Sequence, residues 1–252
     1  MQAFLQTILN ITKKAEGIAL GHFRQGVNID QKADESPVTI ADRETEAFIR
    51  DALHDAFPDH GIIGEEFEEK QTDSPYQWII DPIDGTRAYI SGMPLFGMLI
   101  ALLKDGEPVL GVVRMPGLGE VYTGDGLLAD MGDTPLEVSE VDTLASAMLY
   151  INEADKILRD APEIFARLNA SGRDRRFSYD CYPHMLLAAG HVDACVDFDL
   201  KPYDYLPMVP VIEGAGGVIT DWNGAALTLH SDGRVVSAAT PELHAELLEL
   251  LA

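Results

Sequence analysis

The chain has 252 residues, with 42 acidic against 18 basic side chains, a net charge of −24 and 46% hydrophobic content. That length supports a full core, as one large domain or two small ones. The charge excludes electrostatic capture of a nucleic-acid backbone, which needs Lys and Arg to displace counterions. The longest apolar run, Met98 to Leu103, is far too short to span a bilayer. Met1 to Leu20 places polar residues and Lys13-Lys14 after its apolar part, unlike a signal peptide. Cys181 and Cys195 lack C-x-x-C spacing and sit in apolar surroundings, which suits small core residues in a reducing cytoplasm.

In chain order, Phe4, Leu5, Ile8, Leu9, Ile11, Ala15, Ile18, Ala19 and Phe23 predict an amphipathic helix over 3–25. Residues 32–39 read as a loop or short hairpin, and a second helix is expected from Ile40 or Ala41 to Ala56. Asp42 in its first turn reads equally as a cap and as an acid near a metal. Gly61 to Glu66 reads as a short strand running into two carboxylates, and Trp78 to Ile80 as the end of a buried strand. Met98–Lys104 and Pro108–Arg114 are expected to pair across Asp105-Gly106-Glu107, with short strands at Glu120–Thr123 and Leu136–Val138. From about Leu144 the pattern changes to strand–helix–strand, with a strand tip at Tyr150–Ile151 and one helix over Ala154–Leu168. The basic stretch Arg173–Ser178 reads as a solvated loop or a phosphate or subunit contact. Helices are expected at Tyr182–Gly190 and Leu206–Ala215, strands at Ala194–Asp197, Val218–Asp221 and Val235–Ala239, and a final helix behind Thr240-Pro241-Glu242.

The stretch that carries chemistry is Asp81-Pro82-Ile83-Asp84-Gly85-Thr86. Two carboxylates at the end of a strand, next to a glycine turn with free N–H groups, suit a hard cation bridged to a phosphate. Alone, the same residues also make a plain turn. The second strand ending in carboxylates, Gly64-Glu65-Glu66, could lie on the same sheet edge, and that coincidence is the first sign of a metal site. Asp204, after Tyr203, reads either as a helix cap or as part of such a cluster.

Gly64-Glu65-Glu66, then Asp81 to Thr86, then Tyr203-Asp204 followed by Glu213-Gly214-Ala215-Gly216-Gly217, resemble in order and spacing the inositol monophosphatase superfamily over nearly the whole chain. The resemblance implies an α/β, αβαβα five-layer sandwich of the inositol monophosphatase/fructose-1,6-bisphosphatase type. It implies a metal-binding half over 1–138 and a half over 139–252 that completes the active site. It further implies Mg2+, two or three ions per site, hydrolysis of a small phosphate monoester, and a homodimer. Carried over residue by residue, Glu65, Asp81 and the carbonyl of Ile83 match the ligands of one Mg2+, and Asp81, Asp84 and Asp204 those of a second. Asp42 matches an acid near the metals, and Thr86 the hydroxyl that orients the attacking water with Glu65. The N–H groups of Gly85 and Thr86 match a phosphate cradle, with Arg87 beside them, and Lys32 a basic residue of an early loop. Within the superfamily, Asp180-Cys181-Tyr182, Ala188 to Asp193 and Leu200 to Asp204 look more like the histidinol-phosphate phosphatases, which act in histidine biosynthesis. A cationic substrate would explain extra carboxylates, for which Asp180 and Asp197 are the candidates. Inositol phosphate or a range of sugar phosphates is the alternative, followed by 3′-phosphoadenosine compounds. A catalytically silent binding protein would be expected to lack a metal carboxylate or Thr86, and the chain has them all.

Overall fold

The computed structural model describes residues 1–26, 29–31 and 37–252. Helix α1 (Gln2–His22) buries Ile8, Ile11, Ala15 and Ala19, one stripe at spacings of three and four. Strands β1 (Ile29–Gln31) and β2 (Pro37–Thr39) pair antiparallel, and the predicted loop residue Lys32 lies outside the described residues. Helix α2 (Ile40–Ala56) starts on a capping box in which Thr39 Oγ1 accepts the Ala41 N–H and Asp42 Oδ2 accepts the Thr39 N–H.

The next strands form a seven-stranded sheet in sequence order: β3 (Gly61–Gly64), β4 (Tyr76–Asp84), β5 (Gly97–Lys104), β6 (Glu107–Met115), β7 (Glu120–Gly124), β8 (Ala129–Met131) and β9 (Thr134–Pro135). Helix α3 (Thr86–Ile90) interrupts it after β4. Strand β4 runs beyond its predicted end at Ile80, through Asp81 to Asp84, and its register against β5 slips between the two aspartates. Pro82 lies between them and has no N–H to give the ladder. The predicted strand over Leu136–Val138 is absent. Those residues make isolated bonds instead, Leu136 N–H to the Ala129 carbonyl and Val138 N–H to that of Ala215.

The second half comprises β10 (Met148–Asn152), α4 (Ala154–Asp160), α5 (Pro162–Asn169), β11 (Asp174–Ser178), α6 (Tyr182–Ala188), β12 (Ala194–Asp197), α7 (Pro202–Tyr205), α8 (Val209–Gly214), β13 (Val218–Asp221), β14 (Val235–Ala238) and α9 (Pro241–Leu251). Its five strands are ordered β11-β10-β12-β14-β13. Pro162 opens α5 where one helix is expected over 154–168, so that helix is split in two. The helix expected over Leu206–Ala215 is shorter: α8 starts at Val209 with Pro210 in its first turn, and the short α7 precedes it. The basic stretch is not a loop but the edge strand β11, parallel to β10.

Alternation along the strands sets the layers. On β4 and β5, Trp78, Ile80, Ile100 and Leu102 face α1 and α2, joining Ile8, Ile49 and Leu53. Ile79, Leu99, Ala101 and Leu103 face the other way, onto Met185, Leu206, Val211 and Ile212 of α6, α8 and the turn between α7 and α8. Those middle helices also cover Cys195 and Val235 of the second sheet. The opposite face of that sheet, with Leu149, Ile151, Val196 and Val236, is covered by Ile157, Leu168, Leu243 and Leu247 of α4, α5 and α9. The result is five layers, αβαβα. The middle helices reach the first sheet at backbone distance: a side chain at Gly111 or Gly124 would overlap the carbonyl of Pro207 or Pro210. Among the described residues no helix is long and apolar enough to cross a membrane.

Candidate active site

Parallel pairing of β3 with β4 sets Gly64 opposite Ile80, and the Glu65 N–H continues the ladder onto the Ile80 carbonyl. Glu65 therefore leaves its strand beside Asp81, as the shared-edge expectation requires. Glu46 of α2 braces this corner from behind. Its Oε2 accepts the Glu66 N–H at 2.7 Å and its Oε1 takes Arg50 at 3.1 Å. A Cβ at Gly64 would overlap the Glu46 carboxylate, so a side chain there requires that brace to move.

One carboxylate oxygen from each of Asp81, Asp84 and Asp204 falls within 4.8 Å of the others. Each is aimed by a backbone N–H. Asp81 Oδ1 accepts from Ile83 at 2.9 Å, Asp84 Oδ2 from Cys181 at 2.6 Å and Asp204 Oδ2 from Lys201 at 2.6 Å. Asp204 is not the cap of α7, which is Lys201, but the third residue of the helix, whose carboxylate takes the Lys201 N–H while also belonging to the cluster. Asp81 and Asp84 are only 2% and 9% exposed. Burial, and then Glu65, Asp84 and Asp204, hold the Asp81 carboxyl well above the usual range. Burial pushes Asp84 up to about 6 against the lowering effect of Cys181, and burial followed by Asp84 raises Asp204. Among the described residues no lysine or arginine pairs with any of the three. Three oxygen donors that repel one another in a buried site fit a hard dication, which would supply the missing positive charge.

Gly85 turns the chain with φ of 84°, and α3 starts at Thr86. Thr86 Oγ1 lies 3.3 Å from the Ile83 carbonyl and 3.4 Å from Asp42 Oδ1, so one hydroxyl connects the predicted carbonyl ligand to the fully buried Asp42. Burial, more than any other effect, raises the Asp42 carboxyl. A cavity of about 600 Å³ opens over Glu65, Asp84, Gly85, Thr86 and Asp204, with Arg87 exposed on its wall.

Asp180 lines the same cavity in a left-handed conformation, φ 63°, held by Asn152 Nδ2 on its carbonyl at 3.0 Å. Its side chain lies against Gly85, where a Cβ would come within 2.7 Å of the carboxylate. Asp197 is placed differently from the expectation that it contacts substrate. It is 1% exposed, Oδ2 takes Asn152 at 2.7 Å and His184 Nε2 at 3.2 Å, and Oδ1 takes the Phe198 N–H at 2.8 Å. With both oxygens occupied it stands behind the wall and braces it. Cys181 and Cys195 are buried free thiols.

Sequence reading did not single out Glu153, Lys156, Tyr179 or Asp199, all of which line the cavity. Glu153 directly follows β10, so the strand-end rule that found Asp81 would have found it. It was hidden because only Tyr150–Ile151 was read as strand.

The inositol monophosphatase family matches the chain over residues 1–252. The chain is 38% identical to the histidinol-phosphatase of Chlorobaculum parvum, covering 92% of this chain and 90% of that protein. It is 37% identical to the chloroplastic bifunctional phosphatase IMPL2 of Arabidopsis thaliana, covering 91% and 69%. The solved structure of an inositol monophosphatase from Zymomonas mobilis superposes with a TM-score of 0.90 at 35% identity, covering 99% of this chain and 98% of that one.

Proposed function

Since the chain belongs to the inositol monophosphatase family and is a phosphomonoesterase, we propose that it is Mg2+-dependent and hydrolyses L-histidinol phosphate to L-histidinol. The observation that carries this reading is the convergence of Asp81, Asp84 and Asp204 beside Glu65 and the Gly85-Thr86 turn. Glu65, Asp81, the Ile83 carbonyl, Asp84 and Asp204 would hold the ions, two or three in number. Bound Mg2+ would supply Lewis-acid chemistry, lowering the pKa of water and neutralising the phosphate. The chain's own groups do the rest. The Glu65 carboxylate accepts a proton from the attacking water, and the Thr86 hydroxyl, braced by Asp42, orients that water. The Gly85 and Thr86 N–H groups, which have no intrahelical acceptor in a first turn, hold phosphate oxygens. No side chain is asked to form a covalent phosphoenzyme.

The histidinol branch is supported by Asp180 in the cavity wall and by a relative that bears that name at 38% identity. The Zymomonas inositol monophosphatase supports the second reading, an inositol phosphate or broad sugar-phosphate substrate. Residues 1–138 would then carry most of the metal ligands, with 139–252 adding Asp204 and the substrate wall. We place the enzyme in the cytoplasm as a homodimer, without a nucleic-acid or membrane partner. The test is phosphate release with Mg2+ from L-histidinol phosphate and myo-inositol 1-phosphate in parallel. A kcat/KM advantage of about a hundredfold, roughly 2.7 kcal/mol of differential transition-state binding, identifies histidinol phosphate. Similar rates identify a broad phosphatase, and a reversed ratio removes the histidinol assignment.

A further inference from the structure

We propose that Glu153, Lys156 and Asp199 form the element that reads the charge of the alcohol half of the substrate, favouring an organic ammonium or imidazolium over a neutral polyol. This rests on the phosphomonoesterase reading and adds to it which residues discriminate. The cavity of about 600 Å³ extends from the carboxylate cluster to these three side chains, within the size range of small-molecule sites, so it holds more than a phosphate. Glu153 and Asp199 follow the carboxyl ends of the adjacent parallel strands β10 and β12, both in left-handed conformations, φ 49° and 65°. Lys156, one turn into α4, ties them together: its Nζ is 2.6 Å from Glu153 Oε2 and 3.1 Å from Asp199 Oδ2.

The charge balance decides which ligand this wall suits. Glu153 is the most enclosed of the three, its side chain 11% exposed. Asp180, in the same cavity, has no salt-bridge partner among the described residues. Among the described residues, the remaining cations at this end are Arg87 and Arg176, both exposed, and Lys201, which reaches Asp199 at 3.6 Å from an open position. Exposed charges are screened by salt far more than enclosed ones. Glu153 and the half-exposed Asp199 stand against one enclosed lysine, so the inner layer is net negative even without Asp180, whose carboxyl burial and then Asp84 hold well above the usual range. Tyr179, half exposed on the same wall, adds an aromatic face of the kind cations prefer. A neutral polyol gains nothing from that field, and a cation does.

The test uses paired substitutions of opposite charge. The quantity read is the ratio of kcat/KM for L-histidinol phosphate to kcat/KM for myo-inositol 1-phosphate, with saturating Mg2+. Glu153→Gln is expected to lower the ratio about tenfold, and Asp199→Asn to lower it less, about threefold, because that group is more exposed. Lys156→Met removes the lysine of Glu153 and leaves Asp199 only the more distant Lys201, and it is expected to raise the ratio severalfold. A purely structural role would depress turnover of both substrates together and leave the ratio alone. Ratios unchanged within twofold in Glu153→Gln and Lys156→Met, or shifted in the same direction, overturn the inference while the phosphatase reading stands. If Glu153→Gln does not fold, the half-exposed Asp199→Asn and Lys156→Met still give opposite signs or refute it. Wild-type protein that releases phosphate from neither substrate overturns the underlying reading, and this inference with it.

Discussion

The two sides of the cavity hold their carboxylates in opposite ways. Asp81, Asp84 and Asp204 each accept a backbone N–H, and none has a cation among the described residues. On the β10–β12 side, Glu153 and Asp199 share Lys156, and Asp197 takes an amide and an imidazole. The first group is aimed but unneutralised, with Asp84 pushed up to about 6 by burial, which fits the proposed role of these carboxylates as ligands of a dication. The second group has already found its partners and sets shape and field. Aiming without neutralising is the mark of ligand residues, and pairing is the mark of a wall.

The largest loss is expected on the unneutralised side. Asp84→Asn keeps an oxygen acceptor for the Cys181 N–H but removes a ligand charge. It is expected to lower kcat by at least about 10³-fold, some 4 kcal/mol, with an unchanged circular-dichroism spectrum. Wild-type kcat in purified Asp84→Asn at saturating Mg2+ would remove the ligand assignment. Next in size is Gly64→Ala. Its Cβ collides with the Glu46 carboxylate that holds the Glu66 N–H, and a displacement of about 1 Å at the loosened Glu65 corner is expected to cost about 10²-fold in kcat. Steady-state kinetics at several Mg2+ concentrations checks it, since loss restored by excess metal would place the damage in metal affinity instead.

On the paired side the expected damage is to stability. Asn152→Ala strips a donor from both Asp197 and the Asp180 carbonyl and is expected to cost about 1–3 kcal/mol, a fall in Tm of several degrees. An unchanged Tm would mean that water replaces the amide freely. The smallest effect is a titration. Asp84 has a folded pKa above its ordinary value of 3.8, so relative to the unfolded chain its contribution is full below that value and is lost as pH rises through about 6. Metal-free protein is therefore expected to gain Tm by a few degrees between about pH 7.5 and about pH 5.5. Added Mg2+ is expected to raise Tm more at the higher pH, where protons do not compete for the carboxylates. A Mg2+ shift in Tm that is independent of pH would detach the metal from these groups.

The same contrast explains what could be read from the sequence. Asp81, Asp84, Gly85 and Thr86 are contiguous, so their geometry is local, and Glu65 sits one residue beyond a strand whose apolar run marks its end. The wall depends on pairings distant in sequence, such as Lys156 with Asp199 and Asn152 with Asp197, and no spacing rule announces them. The place of Asp197 is not legible for that reason: the residue type suits a cation, while its burial is set by Asn152 and His184, 45 and 13 positions away. The break at Pro162 is not legible because the apolar period continues across it, although a proline has no N–H to give the helix.

The glycine seats in the first sheet have a consequence for which ion the cluster can accept. Gly111 and Gly124 let the Pro207 and Pro210 carbonyls settle against the strands, and Pro207 lies only three residues beyond Asp204. The missing side chains therefore act as a gauge, fixing how near the third carboxylate stands to Asp81 and Asp84. A methyl group at either seat works as a shim that lifts the middle layer and widens the trio. Ligand distances of about 2.0–2.1 Å suit Mg2+ and about 2.3–2.6 Å suit Ca2+. The overlap at these seats, with carbonyl oxygens 2.1 and 2.3 Å from the Cβ position, exceeds the difference between those two ranges, so a methyl there is expected to loosen the proposed Mg2+ site without touching a ligand.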